Sequence, residues 1–201
     1  MSTSRQQPDE STTVDIRFEC TGCAACCTQE NMLVTLTGTD IVRIAKLLDL
    51  DAKELLRAID FYVLSENESV PRGLRKIPSV ETEEGRAYVA LKKLEDTGCI
   101  FLKENKCMIY PYRPGVCKSF PFVFGRKNGE LAWGLNAMKH ICQGLGKGDY
   151  VKASTLQETG QRVTEEMEIF KEFVKEWNRT EENPTALSFL KAVLSDPRFS
   201  V

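Results

Sequence analysis

The sequence predicts an α+β fold: a small central antiparallel sheet with cysteine-rich loops, two short N-terminal helices and a helical C-terminal part. Three observations lead there. Short alternating or aromatic runs punctuated by Gly, Pro and Asn fill the middle of the chain, two helix-capping signatures occur near residues 37 and 51, and a long apolar stripe at helical period occupies the last quarter. At 201 residues the chain is long enough for one domain with a real core. We divide it into a disordered tail at 1–14, a cysteine-cluster metal-binding domain at 15–148, and a helical extension at 149–201 packed on that domain.

The tail is polar, contains Pro8 and lacks an apolar period. Asp15-Ile-Arg-Phe-Glu19 alternates and runs into Cys20 as a strand, and Met32-Leu-Val-Thr-Leu36 is a second strand. Thr37 followed by Asp40 reads as a cap before Ile41, Ile44, Ala45 and Leu48. Asp51 with Glu54 repeats that pattern before Leu55, Leu56 and Ile59, so two helices are expected to pair beside the cysteine loop. Polar residues 65–85 read as a surface loop. Strand-like runs follow at Arg86–Leu91, Gly98–Leu102 and Lys106–Tyr110, with a turn at Asn105-Lys106. Pro114 suits the first turn of a short helix that holds Cys117 and ends before Pro121.

Phe122–Gly125 and Leu131–Gly134 flank Asn128-Gly129, whose tolerance of positive φ marks a hairpin. From about Asp149 to Asn178, Leu156, Val163, Met167, Phe170, Val174 and Trp177 share one helical face, a core face in preference to a coiled-coil seam. Gly160 lies on that face, where it either weakens the helix or permits close packing. A last helix over Thr185–Ser195 turns Leu187, Leu190 and Leu194 inward, with Pro197 beyond its end.

Four of the eight cysteines fall within eight residues, as Cys20-Thr-Gly-Cys23-Ala-Ala-Cys26-Cys27; the others are Cys99, Cys107, Cys117 and Cys142. A C-x2-C step carrying small residues, here Gly22, Ala24 and Ala25, lets two thiolates converge on one ion, which suits four-thiolate zinc and iron-sulfur clusters alike. Bacterial ferredoxin runs place the fourth cysteine after three residues and follow it with Pro. Here Cys27 directly follows Cys26 and precedes Thr28. Adjacent side chains diverge in an extended backbone, so Cys26 and Cys27 are expected to serve two centres, or one of them is not a ligand. Eight thiols equal two sets of four, which suits one or two [4Fe-4S] clusters, two zinc ions or one of each; a single centre with spare cysteines is the competing count. Thiolates disfavour magnesium and calcium. The repeated spacing and the surplus thiols favour iron-sulfur over zinc.

An even cysteine count also fits disulfides in a secreted domain. The N-terminal segment has no apolar h-region and no apolar stretch approaches a membrane span, so a reducing cytoplasmic setting is expected. A net charge of -2 gives no signature for nucleic acid or an anionic membrane. The expected partner is therefore a protein, including an electron-transfer partner, with no nucleic acid and no membrane; the oligomeric state is not legible. His140, the single histidine, lies two residues before Cys142; a structural or solvated role outweighs one as a metal ligand or a donor to one. Gly144, Gly146, Lys147 and Gly148 lack phosphate-loop spacing and read as a flexible turn. Arg113 is read either as an anion-binding group or as half of a structural ion pair. Tyr110, Tyr112, Phe120, Phe122 and Phe124 are expected to form a dry shell around the site.

The chain resembles the YkgJ-like cysteine-cluster family, described as a zinc- or iron-chelating CxxCxxCC domain. The resemblance starts at Phe18-Glu-Cys20 and runs through Cys23, Cys26-Cys27, Cys99-Ile-Phe-Leu, Cys107-Met-Ile-Tyr110, Arg113-Pro114 and Cys117-Lys-Ser-Phe-Pro-Phe122 to Cys142-Gln-Gly-Leu-Gly-Lys-Gly148. It implies chelation by Cys20, Cys23, Cys26 and Cys27 and, less directly, by Cys99, Cys107 and Cys117. Members carry Pro after the last cysteine, where this chain has Gln143. Flagellin lysine methylases are similar in having a cysteine motif of this kind, which implies methyl transfer as one activity to consider.

Three functions therefore compete. One is a metal- or cluster-binding protein with redox or transferase chemistry, as an iron-sulfur oxidoreductase or a methyltransferase-related protein; another is a non-enzymatic zinc-stabilised protein-interaction module. The third is a thiol-disulfide protein. No carboxylate pair stands out among the 29 Asp and Glu residues, so no catalytic residue is named.

Overall fold

A computed structural model describes residues 12–29, 32–64, 70–71, 73–95 and 98–200. The predicted tail lies outside these residues up to residue 11. In chain order the elements are β1 (Thr13–Phe18), α1 (Ala25–Thr28), α2 (Gly38–Leu48), α3 (Ala52–Leu55), β2 (Ile59–Val63), β3 (Val80–Thr82) and β4 (Gly85–Leu91). Two short ladders come next, β5 (Lys93–Leu94) with β6 (Gly98–Cys99) and β7 (Leu102–Lys103) with β8 (Lys106–Cys107). Then follow α4 (Gly115–Ser119), β9 (Phe122–Lys127), β10 (Glu130–Leu135), β11 (Leu145–Lys152), α5 (Ala153–Thr180) and α6 (Ala186–Ser195). The fold is α+β with a helical C-terminal part.

The first capping signature forms as predicted. Asp40 N donates to Thr37 Oγ1 at 3.3 Å, and Thr37 N donates back to Asp40 Oδ2 at 3.1 Å. Ile41, Ile44 and Ala45 are buried below that cap and Val42 joins them, but Leu48, expected inward, is 37% exposed in the last turn before Asp49 takes a left-handed conformation. The second cap also forms, between Asp51 and Glu54, yet its helix stops after one turn. Ile59, expected on that helix, opens β2 instead. Ile59-Asp-Phe-Tyr-Val63 is rich in β-branched and aromatic residues and pairs along its full length with β4, so strand pairing overrides the cap. The two early helices both pack against α6, which joins them.

The central sheet has the order β2-β4-β3, all antiparallel. Residues Ala87–Leu91 of β4 are all buried, as a middle strand covered on both faces requires. β3 falls inside the segment 65–85 that was expected to be loop; Gly85, at φ 106°, closes its hairpin with β4. The strand expected at 32–36 shrinks to a single bridge, Thr35 to Ala90, flanked by Leu36 N donating to Val89 O and Leu91 N to Val34 O.

β9 and β10 form the expected hairpin, with Asn128 at φ 53° and Gly129 at φ 81° in the turn. It lies on α5 at Gly160, where a Cβ would stand 2.5 Å from Phe124 Cδ1 and 3.0 Å from Leu131 Cδ2. Close packing is therefore the reason for that glycine. The flexible turn expected at 144–148 is instead the start of β11, and α5 begins at Ala153, later than predicted. β11 forms because β1 needs a partner along its edge, and Tyr150 pairs with Arg17 and Lys152 with Thr13. Gly144 and Gly148 let the two backbones meet, since a Cβ at Gly144 would collide with the Glu19 carbonyl and one at Gly148 would lie 2.6 Å from Glu19 Cβ.

The core's far end is aromatic. Phe173 meets Phe199 at 5.1 Å and Phe189 at 5.7 Å between ring centroids, and Trp177 meets Phe189 at 5.3 Å, all edge to face. On α6 the buried face is Phe189, Leu190 and Val193, rotated from the expected Leu187, Leu190 and Leu194, two of which are half-buried. Phe199, past the end of α6, is fully buried against α2 at Gly38. Among the described residues no helix is long and apolar enough to cross a membrane.

One carboxylate ties three helices together. Asp40, 2% exposed, accepts from the Thr37 cap and, through Oδ1, from Arg43 Nη1 at 3.1 Å and from Gly115 N at 3.0 Å at the start of α4. Arg43 also donates to Glu166 of α5 at 3.1 Å. Burial raises the Asp40 carboxyl above its ordinary range, while the Thr37 and Gly115 amides and Arg43 oppose that rise.

Gly160→Ala is expected to destabilise the protein by about 1–3 kcal/mol despite alanine's higher helix propensity, because the new methyl overlaps Phe124; urea unfolding reads the sign directly. Asp40→Ala is expected to cost about 3 kcal/mol, since it strands the Thr37 and Gly115 amides and leaves Arg43 without its nearest partner. Asp40→Asn, which keeps an acceptor for Gly115, should cost less in the same measurement.

Candidate metal centre

The chain leaves β1 through two left-handed residues, Gly22 at φ 64° and Ala24 at φ 57°, and then winds the single turn α1. Cys27 N and Thr28 N both donate to the Ala24 carbonyl, at 2.8 and 3.2 Å. That turn carries Cys26 and Cys27. β6 lies directly against it at Gly98, where a Cβ would collide with the Cys27 carbonyl and stand 2.9 Å from Thr28 Cα. Only glycine admits this approach, and the next residue is Cys99. The β7–β8 turn uses Glu104 and Asn105, both at positive φ, one residue earlier than predicted, and delivers Cys107. α4, anchored at Gly115 by Asp40, delivers Cys117.

These four segments bring five thiols into one pocket. The Cys27 thiol receives a hydrogen bond from Cys26 and lies within electrostatic reach of Cys99, Cys107 and Cys117. Cys117 in turn faces Cys99, Cys26 and Cys107. The extended backbone expected for Cys26 and Cys27 is therefore corrected. The segment is a single helical turn, and its two thiols lie within hydrogen-bonding and electrostatic reach of each other. Cys27, Cys107, Cys117 and Val116 pack against the hydrophobic core, and Cys99, Phe101 and Ile109 are part of it.

Cys20 and Cys23 lie at the exposed rim of this pocket. The amides of Ala25 and Gln143 and the Thr21 hydroxyl surround the Cys23 sulfur, and the Tyr110 hydroxyl reaches that of Cys20. Cys26 lies within electrostatic reach of Cys23 as well, so it stands between the rim and the interior. Cys142 approaches the rim through its neighbour Gln143. His140 is exposed on a 3-10 turn beside it.

The electrostatics follow from these contacts. The Cys26 thiol is pushed well up by donating to Cys27 and by burial, and Cys27 is held down by receiving that bond. Burial raises Cys117 and Cys99. Cys23 is lowered, first by the Ala25 amide. Lys93 sits among these sulfurs, with its ammonium donating to the Gln29 carbonyl. Sequence reading missed Lys93, because Lys92-Lys93 looks like solvated surface and only the pairing of Lys93 with Cys99 places it here.

Arg113 packs on Tyr110 and carries its charge toward the thiols. Its guanidinium stacks on the Tyr110 ring, 3.7 Å from the centroid, its Nε donates to the Tyr110 carbonyl at 3.0 Å, and its charge reaches Cys26. The dry aromatic shell is also corrected. Phe122 is buried, but Tyr110 and Tyr112 are exposed on a 3-10 turn, together with Met108. The apolar residues grouped with the inner cysteines are instead Phe101, Ile109 and Val116.

Among the described residues no three His, Cys, Asp or Glu side chains are already set as a coordination shell. The pocket gathers donors without fixing their final directions, as expected of neutral thiols that converge only when deprotonated around an ion. Its donor chemistry, all sulfur with two nearby cations, fits zinc or iron and excludes oxygen-preferring ions.

An uncharacterized protein of Methanocaldococcus jannaschii, MJ0661, is 29% identical over 142 residues, which cover 67% of this chain and 61% of that protein. The chain thus spans about three fifths of the length of this curated relative. No solved structure matches. Residues 19–143 match the family model CxxCxxCC, described as "Putative zinc- or iron-chelating domain", a span that begins just before Cys20 and ends just after Cys142. The match takes in every cysteine and more than half of the chain, and the protein belongs to this CxxCxxCC family.

Proposed function

We propose that the protein is an iron-sulfur protein whose eight thiols serve two centres, an inner one held by Cys27, Cys99, Cys107 and Cys117 and an outer one held by Cys20, Cys23, Cys26 and Cys142. The observation that carries this reading is the convergence of α1, β6, β8 and α4, far apart in sequence, on one thiol pocket. Buried inert thiols would not require four segments to meet. The division follows packing: the inner sulfurs belong to or pack against the core, Cys20 and Cys23 are exposed, and Cys26 and Cys142 are half-buried and outside that core.

A bound cluster would supply one-electron redox chemistry or Lewis acidity. The chain's own residues do the rest. Phe101, Ile109 and Val116 exclude water from the inner sulfurs, and Tyr110 and the Gln143 amide donate to the outer ones. The exposed rim, with Met108, Tyr110 and Tyr112 beside Cys20, is where an electron-transfer partner would meet the outer centre. This reading takes the thiols as reduced, as in the cytoplasm; all eight are free.

Anaerobic purification with iron, sulfide and zinc analysis tests the proposal. Iron with acid-labile sulfide is expected. Stoichiometric zinc without sulfide would replace iron-sulfur with a zinc-stabilised module, and folded, reduced, metal-free protein would sink chelation altogether. Cys117→Ser and Cys142→Ser should each remove about half of the metal, from different centres; loss of all metal in both would show a single centre. Because burial and hydrogen bonding raise Cys117, Cys99 and Cys26, binding must displace protons. Metal retention against a chelator should therefore weaken as pH falls.

A further inference from the structure

Lys93 occupies a position that neither solvation nor packing explains. On β5 it is the cross-strand partner of Cys99 on β6, so both side chains leave the same face of the ladder. Its ammonium donates to the carbonyl of Gln29, the residue that caps α1 two positions after Cys27. One side chain thus joins the strand carrying Cys99 to the turn carrying Cys26 and Cys27. The half-buried ammonium interacts with the sulfurs of Cys99, Cys27, Cys117 and Cys26.

A lysine among neutral thiols is a poor arrangement. The ammonium loses water and gains one carbonyl acceptor and weak sulfur dipoles. Its value appears when the sulfurs are charged. Four thiolates around a divalent ion carry a net negative charge, and in a partly dehydrated pocket an adjacent ammonium offsets that charge far better than it would in water. Arg113 contributes from the rim through Cys26; Lys93 does so from inside.

We infer that Lys93 is the built-in countercharge of the inner thiol centre. Tethered by the Gln29 carbonyl, its ammonium stabilises the thiolates that Cys27, Cys99, Cys107 and Cys117 become on binding a metal ion, and so sets that centre's metal affinity. Where the ion is iron, it also raises the reduction potential. The inference rests on the reading that these thiols bind metal. Lys93 acts here as a positioning and charge-balancing residue.

The test uses the full reduced chain and cobalt(II) as the probe, with binding followed by sulfur-to-cobalt charge-transfer absorption and urea unfolding measured without metal. Lys93→Met, which keeps length and removes charge, is expected to weaken cobalt binding by roughly tenfold or more. Lys93→Gln should behave like Met, and Lys93→Arg should stay near the parent protein. Without metal, Lys93→Met should be as stable as the parent or more so, because the buried ammonium is then a cost.

A structural tether gives a different pattern: Lys93→Gln, which still donates, binds as well as Lys93→Arg, and Lys93→Met loses stability with and without metal alike. Either result overturns the inference, as does unchanged cobalt affinity in Lys93→Met. Should Lys93→Met fail to fold, the comparison of Gln with Arg decides. Failure of the parent chain to bind cobalt would instead remove the chelation reading, and this inference with it.

Discussion

The placement of Cys117 depends on the buried carboxylate of Asp40. Asp40 is enclosed, and its oxygens accept from the cap of α2, from Arg43 and from the first amide of α4. Burying a charge is costly, and such arrangements give little net stability over an apolar replacement. What they supply is geometry. An apolar residue at position 40 would pack, but it would not fix where α4 begins relative to α2 or bring Arg43 to Glu166 on α5. The same side chain also closes the capping box, so the start of one helix and the start of another are set by one group.

Backbone approach distance does similar work on the opposite wall of the pocket. Gly98 admits α1, Gly144 and Gly148 admit the chain leaving β1, and Gly160 admits the β9–β10 hairpin onto α5. The elements that present sulfur are themselves slight. The ladders β5–β6 and β7–β8 have two register pairs each, and α1 and α4 are one turn or little more. By contrast, α2, α5, α6 and the β2-β4-β3 sheet bury the aromatic and aliphatic core. The core thus holds the fold, and the cysteine segments hang from it with few contacts of their own. A ligand bridging all four of them adds stability where the chain has least.

How far the sequence foretold this follows from whether each signal was local. Thr37–Asp40, Asp51–Glu54 and Asn128-Gly129 are complete within a few residues, and each formed where read. The α5 stripe is a property of one helix, and Phe170, Val174 and Trp177 are buried along it. Expectations failed where a distant partner decided. Ile59 left its helix because β4 pairs with it, and residues 145–152 became a strand because β1 needed an edge partner. For the site, Cys20, Cys23, Cys26 and Cys27 were legible as a motif by spacing, whereas Cys99, Cys107, Cys117 and Cys142 were added by count and by the family resemblance. The backbone of Cys26 and Cys27 was expected to be extended and is helical, and the place of Lys93 was invisible because it comes from a two-residue ladder opposite Cys99.

The pattern of thiol environments carries one further step. Cys26 donates to Cys27, and that single bond pushes the two sulfurs in opposite directions: Cys27 toward the thiolate and Cys26 away from it. Cys27 is thus lowered while burial raises its neighbours Cys99 and Cys117, and Cys107 lies within the same electrostatic reach. An ion captured there would draw the remaining inner thiols toward ionisation, since a metal's positive charge favours the thiolate of each donor it meets. In the two-centre proposal Cys26 would serve the outer set with Cys23, whose sulfur lies within its electrostatic reach. Adjacent cysteines on a helical turn therefore suit the proposed assembly with an inside and an outside, in which the peptide that joins them would be the wall between the two.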